Sequence, residues 1–157
     1  MFLRIRVDNY LCYMYKEYSP CSVLAPFIYH FWEYKGETRS GLKFNIPPHG
    51  CSDFVFIVGN AADCIRDSLI MKPYHSYFFG PMNTFTELVA HTNFIHIIGV
   101  RFRPCGLFQF IEIPLNELAN QGIDSQEFPV LFSQSFIYQL CESNQNPIDI
   151  IEHELVR

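Results

Sequence analysis

No stretch of this sequence stays apolar for the roughly 18 residues that crossing a bilayer takes. Its opening, MFLRIRVDNYLCYMYKEY, is broken by Arg4, Arg6, Asp8, Lys16 and Glu17, and it lacks both the apolar core and the small-residue cleavage site of a secretory signal. Basic residues are few, 11 against 16 acidic, giving a net charge of -5. An acidic surface repels phosphate, so the chain alone is a poor nucleic-acid binder. The six cysteines (Cys12, Cys21, Cys51, Cys64, Cys105 and Cys141) include no C-x-x-C pair, whereas zinc sites are built on ligands two to four residues apart. With no export signal, the thiols are expected to be reduced and mostly buried, in a cytoplasmic protein that does not engage a membrane. The sequence also lacks repeats, low-complexity tracts and any linker long enough to separate a pair of domains.

What it does have is the length of one domain, 157 residues, of which 49% are apolar and only 17% charged. Such a chain can close a core, which excludes a disordered polypeptide. The first half reads as short strands set off by turn signals. Phe27 to Tyr34 is dense in rings and meets Lys35-Gly36, an expected turn. Leu42 to Ile46 stops at Pro47-Pro48, Asp53 to Val58 at Gly59-Asn60, and Tyr74 to Phe79 at Gly80-Pro81. Phe85 to Ala90 alternates weakly, and Phe94 to Phe102 (FIHIIGVRF) is the strongest strand. Runs of this length and composition, with no helices between them, indicate an antiparallel sandwich or small barrel.

After Pro104 the period changes. Leu107, Phe110 and Ile111 recur at helical spacing, as do Leu115, Leu118 and Ala119 behind Pro114, where a proline fits a first turn. Phe132, Phe136 and Leu140 form a stripe, and Ile148, Ile151 and Leu155 another. Asn146-Pro147-Ile148-Asp149 reads as a helix start: an Asn cap, Pro at the first position, and an acid near the positive end.

Several of these segments carry a resemblance. Gly99-Val100-Arg101-Phe102-Arg103-Pro104-Cys105-Gly106 resembles the "GVRFRPGG" signature in the N-terminal domains of AraC-family transcriptional regulators. Phe79-Gly80-Pro81 resembles the turn that precedes it there. Ile46 to Phe56, around Pro47-Pro48-His49-Gly50-Cys51-Ser52-Asp53, is similar to the "PDGCxDLIF" segment. Tyr18-Ser19-Pro20, Leu24 to Ile28 and Phe31-Trp32 resemble the opening "PxxxLxPyIxxyW", and Pro114 to Leu118 the short helix after the signature. Together these cover about residues 15–128, in order. The resemblance implies a mainly β fold: a cupin-like antiparallel β-barrel over 14–104, preceded by an extension over 1–13. A small helical segment of the same domain follows over 105–157. The fold-signature positions are Gly80, Pro81, Gly99, Arg101, Phe102, Arg103, Pro104 and Gly106. DNA would be bound by a C-terminal domain absent from this chain. Two positions depart from the pattern. Cys105 replaces a glycine and, since cysteine disfavours positive φ, is expected in ordinary helix-start geometry; His49 replaces an aspartate.

Each candidate for chemistry has a plainer reading beside it. A cupin metal site needs closely spaced histidines, but His30, His49, His75, His91, His96 and His153 include only one near pair. His91 and His96, five apart, would face opposite sides of a strand, so no metal site is expected; His49, beside two prolines, is expected exposed. Cys105, near Arg101 and Arg103, is either a redox-sensitive thiolate or a small apolar filler, and Cys51 poses the same choice. In the Phe94–Arg103 strand, Ile95, Ile97, Gly99, Arg101 and Arg103 share one face and His96, Ile98, Val100 and Phe102 the other. The two arginines could clamp a carboxylate-bearing effector or pair with acids such as Glu112 or Glu117 and lock barrel to helices.

The rings of Tyr29, Trp32 and their neighbours either fill a core or line a sensor pocket for a small apolar or aromatic effector. The candidate ligand-binding residues are Tyr29, Trp32, Tyr77, Glu87 and Arg101. The two late helical stripes could pack on the barrel, form a homodimer surface, or join the DNA-binding domain. The expectation is therefore a non-catalytic, cofactor-free sensing and dimerising domain, with a small metal-dependent cupin enzyme as the alternative.

Overall fold

The computed structural model describes residues 13–41, 43–58, 65–66, 69–112, 114–127 and 131–157. Outside these lie the expected extension except Tyr13, the Gly59-Asn60 turn, Cys12 and Cys64. Among the described residues ten strands run β1 (Tyr13–Tyr18), β2 (Ile28–Glu37), β3 (Lys43–Ile46), β4 (Ser52–Ile57), β5 (Ile65–Arg66), β6 (Leu69–Ile70), β7 (Ser76–Phe79), β8 (Thr86–Val89), β9 (Phe94–Phe102) and β10 (Gly122–Asp124). Two α-helices among the described residues, α1 (Gln134–Glu142) and α2 (Pro147–Val156), follow the strands. The expected class, mainly antiparallel β with C-terminal helices, is the one observed.

One six-stranded sheet, ordered β1-β2-β9-β4-β7-β10, is antiparallel throughout, and the pairs β3-β8 and β5-β6 stand apart from it. The large sheet is buried on both faces, which is why β4 and β9 read as near-continuous apolar runs. Phe54, Phe56, Phe78, Ile98, Val100 and Phe102 point to one face, where they meet Phe132, Phe136, Leu140, Ile148, Ile151 and Leu155. Both late stripes are thus consumed in packing helices onto the sheet. Val55, Ile57, Tyr77, Phe79, Ile95 and Ile97 point to the other face. A register shift in β2 between Ile28 and His30 lets Ile28 and Phe31, three apart, both reach the helix side.

Strand β2 does not turn at Lys35-Gly36 but continues through them to Glu37, because β1 and β9 hydrogen-bond to it on both sides. Both α-helices begin as capping chemistry dictates: Ser133 Oγ accepts from the Phe136 N–H, and Asn146 Oδ1 from the Ile148 N–H, with Pro147 in the first turn. The Leu107 and Leu118 segments are instead single turns of 3-10 helix, Gly106–Gln109 and Leu115–Leu118; the first lies between Pro104 and Pro114, which leave too little chain for a stable α-helix.

The glycines of the signature are explained by close approach. A Cβ on Gly80 would overlap the Leu118 carbonyl, one on Gly106 the Phe27 carbonyl, and one on Gly99 the Trp32 indole. Arg103 holds the same corner: its backbone N–H donates to Phe27 O at 2.8 Å, its Nε–H to Ala25 O at 2.8 Å, and its guanidinium lies 4.5 Å from the Tyr29 ring centre. At the other end of this loop the Cys21 N–H donates to Glu152 Oε1 of α2 at 2.6 Å. Cys105 is a correction: it is exposed and adopts φ 62°, the left-handed region. Gly106 is spent on the contact with Phe27, so the reversal falls on Cys105, at a cost of roughly 1–2 kcal/mol.

Candidate functional site

Between the large sheet and β3-β8 lies a cavity of about 100 Å³. Strand alternation builds it. On β4, Asp53 and Val55 share a face; on β9, Ile95, Ile97 and Arg101 do; on β2, Trp32 and Tyr34 do. Ile46, Thr86 and Leu88 cover them from β3 and β8, and Tyr15, His49, Met71, Phe79 and Met82 complete the lining. The wall is apolar and aromatic except at one end.

That end holds Arg101, Asp53 and His49. Asp53 and Arg101 face each other across β4 and β9, and the pair is bidentate: Nε to Oδ1 at 2.9 Å and Nη2 to Oδ2 at 2.8 Å. Their side chains are 7% and 13% exposed. Burial works against the guanidinium's charge, but Asp53 outweighs it and holds the arginine pKa above its ordinary value. Arg101 is therefore locked within the sheet, to Asp53 rather than to Glu112 or Glu117.

His49 Nε2 stands 3.4 Å from Arg101 Nη2 and 3.5 Å from Asp53 Oδ2. It is placed there by a backbone bridge to Met82, so the expectation of an exposed His49 is corrected: its side chain is 14% exposed. Burial pushes its pKa below the ordinary range despite the pull of Asp53, so near neutrality the imidazole is uncharged.

Trp32 lies flat over Gly99, its cross-strand neighbour, and stacks on Tyr15 with ring centres 6.5 Å apart and planes 27° from parallel. Its Nε1 is buried with no hydrogen-bond partner among the described residues. The Tyr15 hydroxyl donates to Glu17 Oε1 at 2.9 Å, and burial followed by Glu17 raises its pKa.

Of the residues expected to bind a ligand, Trp32 and Arg101 line this cavity. Tyr77 packs in the same cluster, but its hydroxyl is turned to backbone, donating to Ile70 O at 3.2 Å and accepting from the Lys72 N–H at 2.7 Å. Tyr29 and Glu87 lie elsewhere: Tyr29 is 51% exposed beneath Arg103, and Glu87 pairs with Lys43 at 2.9 Å on the outer side of β8. Alternation from Trp32 and Tyr34 sets Tyr29, three residues before Trp32, on the face opposite the cavity, and the register shift between Ile28 and His30 falls beside it. Sequence reading missed Asp53, His49 and Tyr15. For Asp53 a signal was present, since an acid inside an otherwise apolar strand needs a buried partner.

The lining does not suit a metal ion. Among the described residues no three of His, Cys, Asp and Glu converge, and the cavity's own His49 and Asp53 have the Arg101 cation against both. Also among the described residues, no helix is long and apolar enough to cross a membrane.

The sequence matches the family model described as a domain of unknown function, DUF6597, over residues 16–124. The chain belongs to that family. The DUF6597 region runs from within β1 to the last residue of β10, so it takes in every residue named as lining the cavity except Tyr15 and ends before α1. Among solved structures, the chain is similar to the crystal structure of a Cupin 2 conserved barrel domain protein from Salinispora arenicola CNS-205. Identity is 15% and the TM-score 0.44, over 68% of this chain and 87% of that one. The comparison with curated proteins finds no match.

Proposed function

We propose that this chain is the effector-sensing and dimerising region of an AraC-type transcription regulator, binding a small molecule without transforming it. The observation that carries the reading is the cavity: an aromatic and aliphatic chamber whose one charged pair is already satisfied within the protein. Such a site offers binding energy and orientation. The ordered "GVRFRP", "GP" and "HGCSD" segments supply the regulator context, with DNA bound through a domain outside this chain. The sheet gives a route for the signal. Asp53, Val55, Ile97 and Arg101 touch the cavity, while Phe54, Val100 and Phe102, their neighbours on the same strands, carry the helices. A shift of β4 against β9 on ligand binding would move α1 and α2. The outer side of these helices, where Tyr138 and Val156 are exposed, is then a surface for a second copy.

Thermal melting against a set of small apolar and aromatic compounds tests this. Some should raise the melting temperature saturably, as mass action requires, and mass spectrometry should recover them unchanged. Conversion of the compound, or stoichiometric transition metal in the purified protein, would favour the small metal-dependent cupin enzyme instead. A helix-turn-helix pair is expected to be encoded beyond Arg157; an unrelated sequence there would count heavily against the regulator.

A further inference from the structure

We infer that the cavity selects a neutral, mostly apolar ligand carrying a hydrogen-bond acceptor, which it holds through Nε1–H of Trp32, and that it rejects carboxylates. The inference rests on the sensing reading above and specifies its ligand.

The first observation is the indole. Buried donors are almost always paired, and an indole N–H can only donate. Trp32 lines the cavity, and its Nε1 is buried with no hydrogen-bond partner among the described residues. The ring has little freedom to turn toward one in the protein, because the Gly99 backbone lies against one side and Tyr15 stacks on the other. A fixed, unsatisfied donor in an apolar chamber is an address for an acceptor atom, and holding it rigid lowers the entropy lost on binding.

The second observation is how Arg101 is used. Among the described residues lining the cavity it is the one permanent cation, and Asp53 takes two of its donors. A ligand carboxylate could reach the guanidinium only by displacing Asp53. That would put two anions against one cation where water is scarce, the arrangement most costly to bury. Uncharged His49 offers no second cation. The acceptor that fits is therefore neutral, such as a ketone, aldehyde, ester or ether oxygen. Val55, Phe79, Met82 and Ile97 receive its hydrocarbon body.

The chain has a single tryptophan, so indole-15N-labelled protein gives one side-chain N–H resonance that reports on this wall alone. The probes are acetophenone, ethylbenzene and benzoate at neutral pH. Acetophenone should saturate and move the indole proton downfield. Ethylbenzene should bind about tenfold more weakly without that shift, as the loss of one hydrogen bond from a buried donor predicts, and benzoate should not saturate. Trp32→Phe should reduce acetophenone to the affinity of ethylbenzene; if that variant does not fold, the wild-type resonance still decides. Tightest binding by benzoate, or equal binding of ketone and hydrocarbon with the indole signal unmoved, overturns the ligand class and leaves the sensing function standing. Saturable binding by none of the three overturns both.

Discussion

Glycine 99 sits in the middle of the central strand, where glycine normally weakens a sheet. Its missing side chain is what makes room for the Trp32 ring, so the aromatic covers the gap across the strands. Gly99→Ala should therefore cost roughly 1–3 kcal/mol, the usual range for overpacking, read by urea unfolding. It should also shift the emission of the single tryptophan; wild-type stability and an unchanged spectrum would show that the contact is not tight. At this scale the sequence was only half legible. The presence of Gly99 and Arg101 in a signature was plain from the letters, and so was their common face on the strand. That Arg101 is spent on Asp53, that His49 is drawn inside by its bridge to Met82, and that Cys105 takes a left-handed turn all depend on partners distant in sequence.

Among the elements, the ring of Phe132 shows how the helices are attached. It is fully buried just ahead of α1, 5.4 Å from Phe54, 4.9 Å from Phe56 and 5.2 Å from Phe136, centre to centre. Phe132→Ala should remove about 3–5 kcal/mol and loosen α1 first, visible as faster amide exchange in Gln134–Glu142 than in β9. Uniform loss of protection across both would mean that helix and sheet unfold together. Strand β9 was readable to the residue, because a strand buried on both faces is a near-continuous run of Ile, Val and Phe, here interrupted by His96, Gly99 and Arg101. Strands β1 and β10 went unread: YMYKEY mixes charge with rings at the sheet edge, and GID is too short to show a period. The spacing of Leu107, Phe110 and Ile111 was read correctly as helical, but spacing alone does not separate one 3-10 turn from an α-helix.

For the whole molecule, three histidines carry the pH response. Burial is the leading cause that pushes His30, His49 and His96 below the ordinary value of 6.5. The unfolded chain then takes up protons at these sites before the folded one does. Stability is complete above pH 6.5 and falls as the pH drops from there through the folded values. Glu33 adds to this further down. Burial alone would raise its pKa, but hydrogen bonds from Tyr18 and His96 outweigh that and hold it below 4.5, so its contribution is lost as pH falls past that point. Calorimetry should show the melting temperature dropping as the pH is lowered from about 6.5, with a shallower drop in His96→Gln. A flat profile would mean that these imidazoles are not held neutral. The loop from Cys21 to Phe27 has an equally molecular consequence. It is moored to Arg103 at one end and to Glu152 at the other, so it works as a tie-rod between the rim of the shell and the closing helix. Any pull on that helix from outside is delivered to the strand that bears Arg101, two residues from the anchorage.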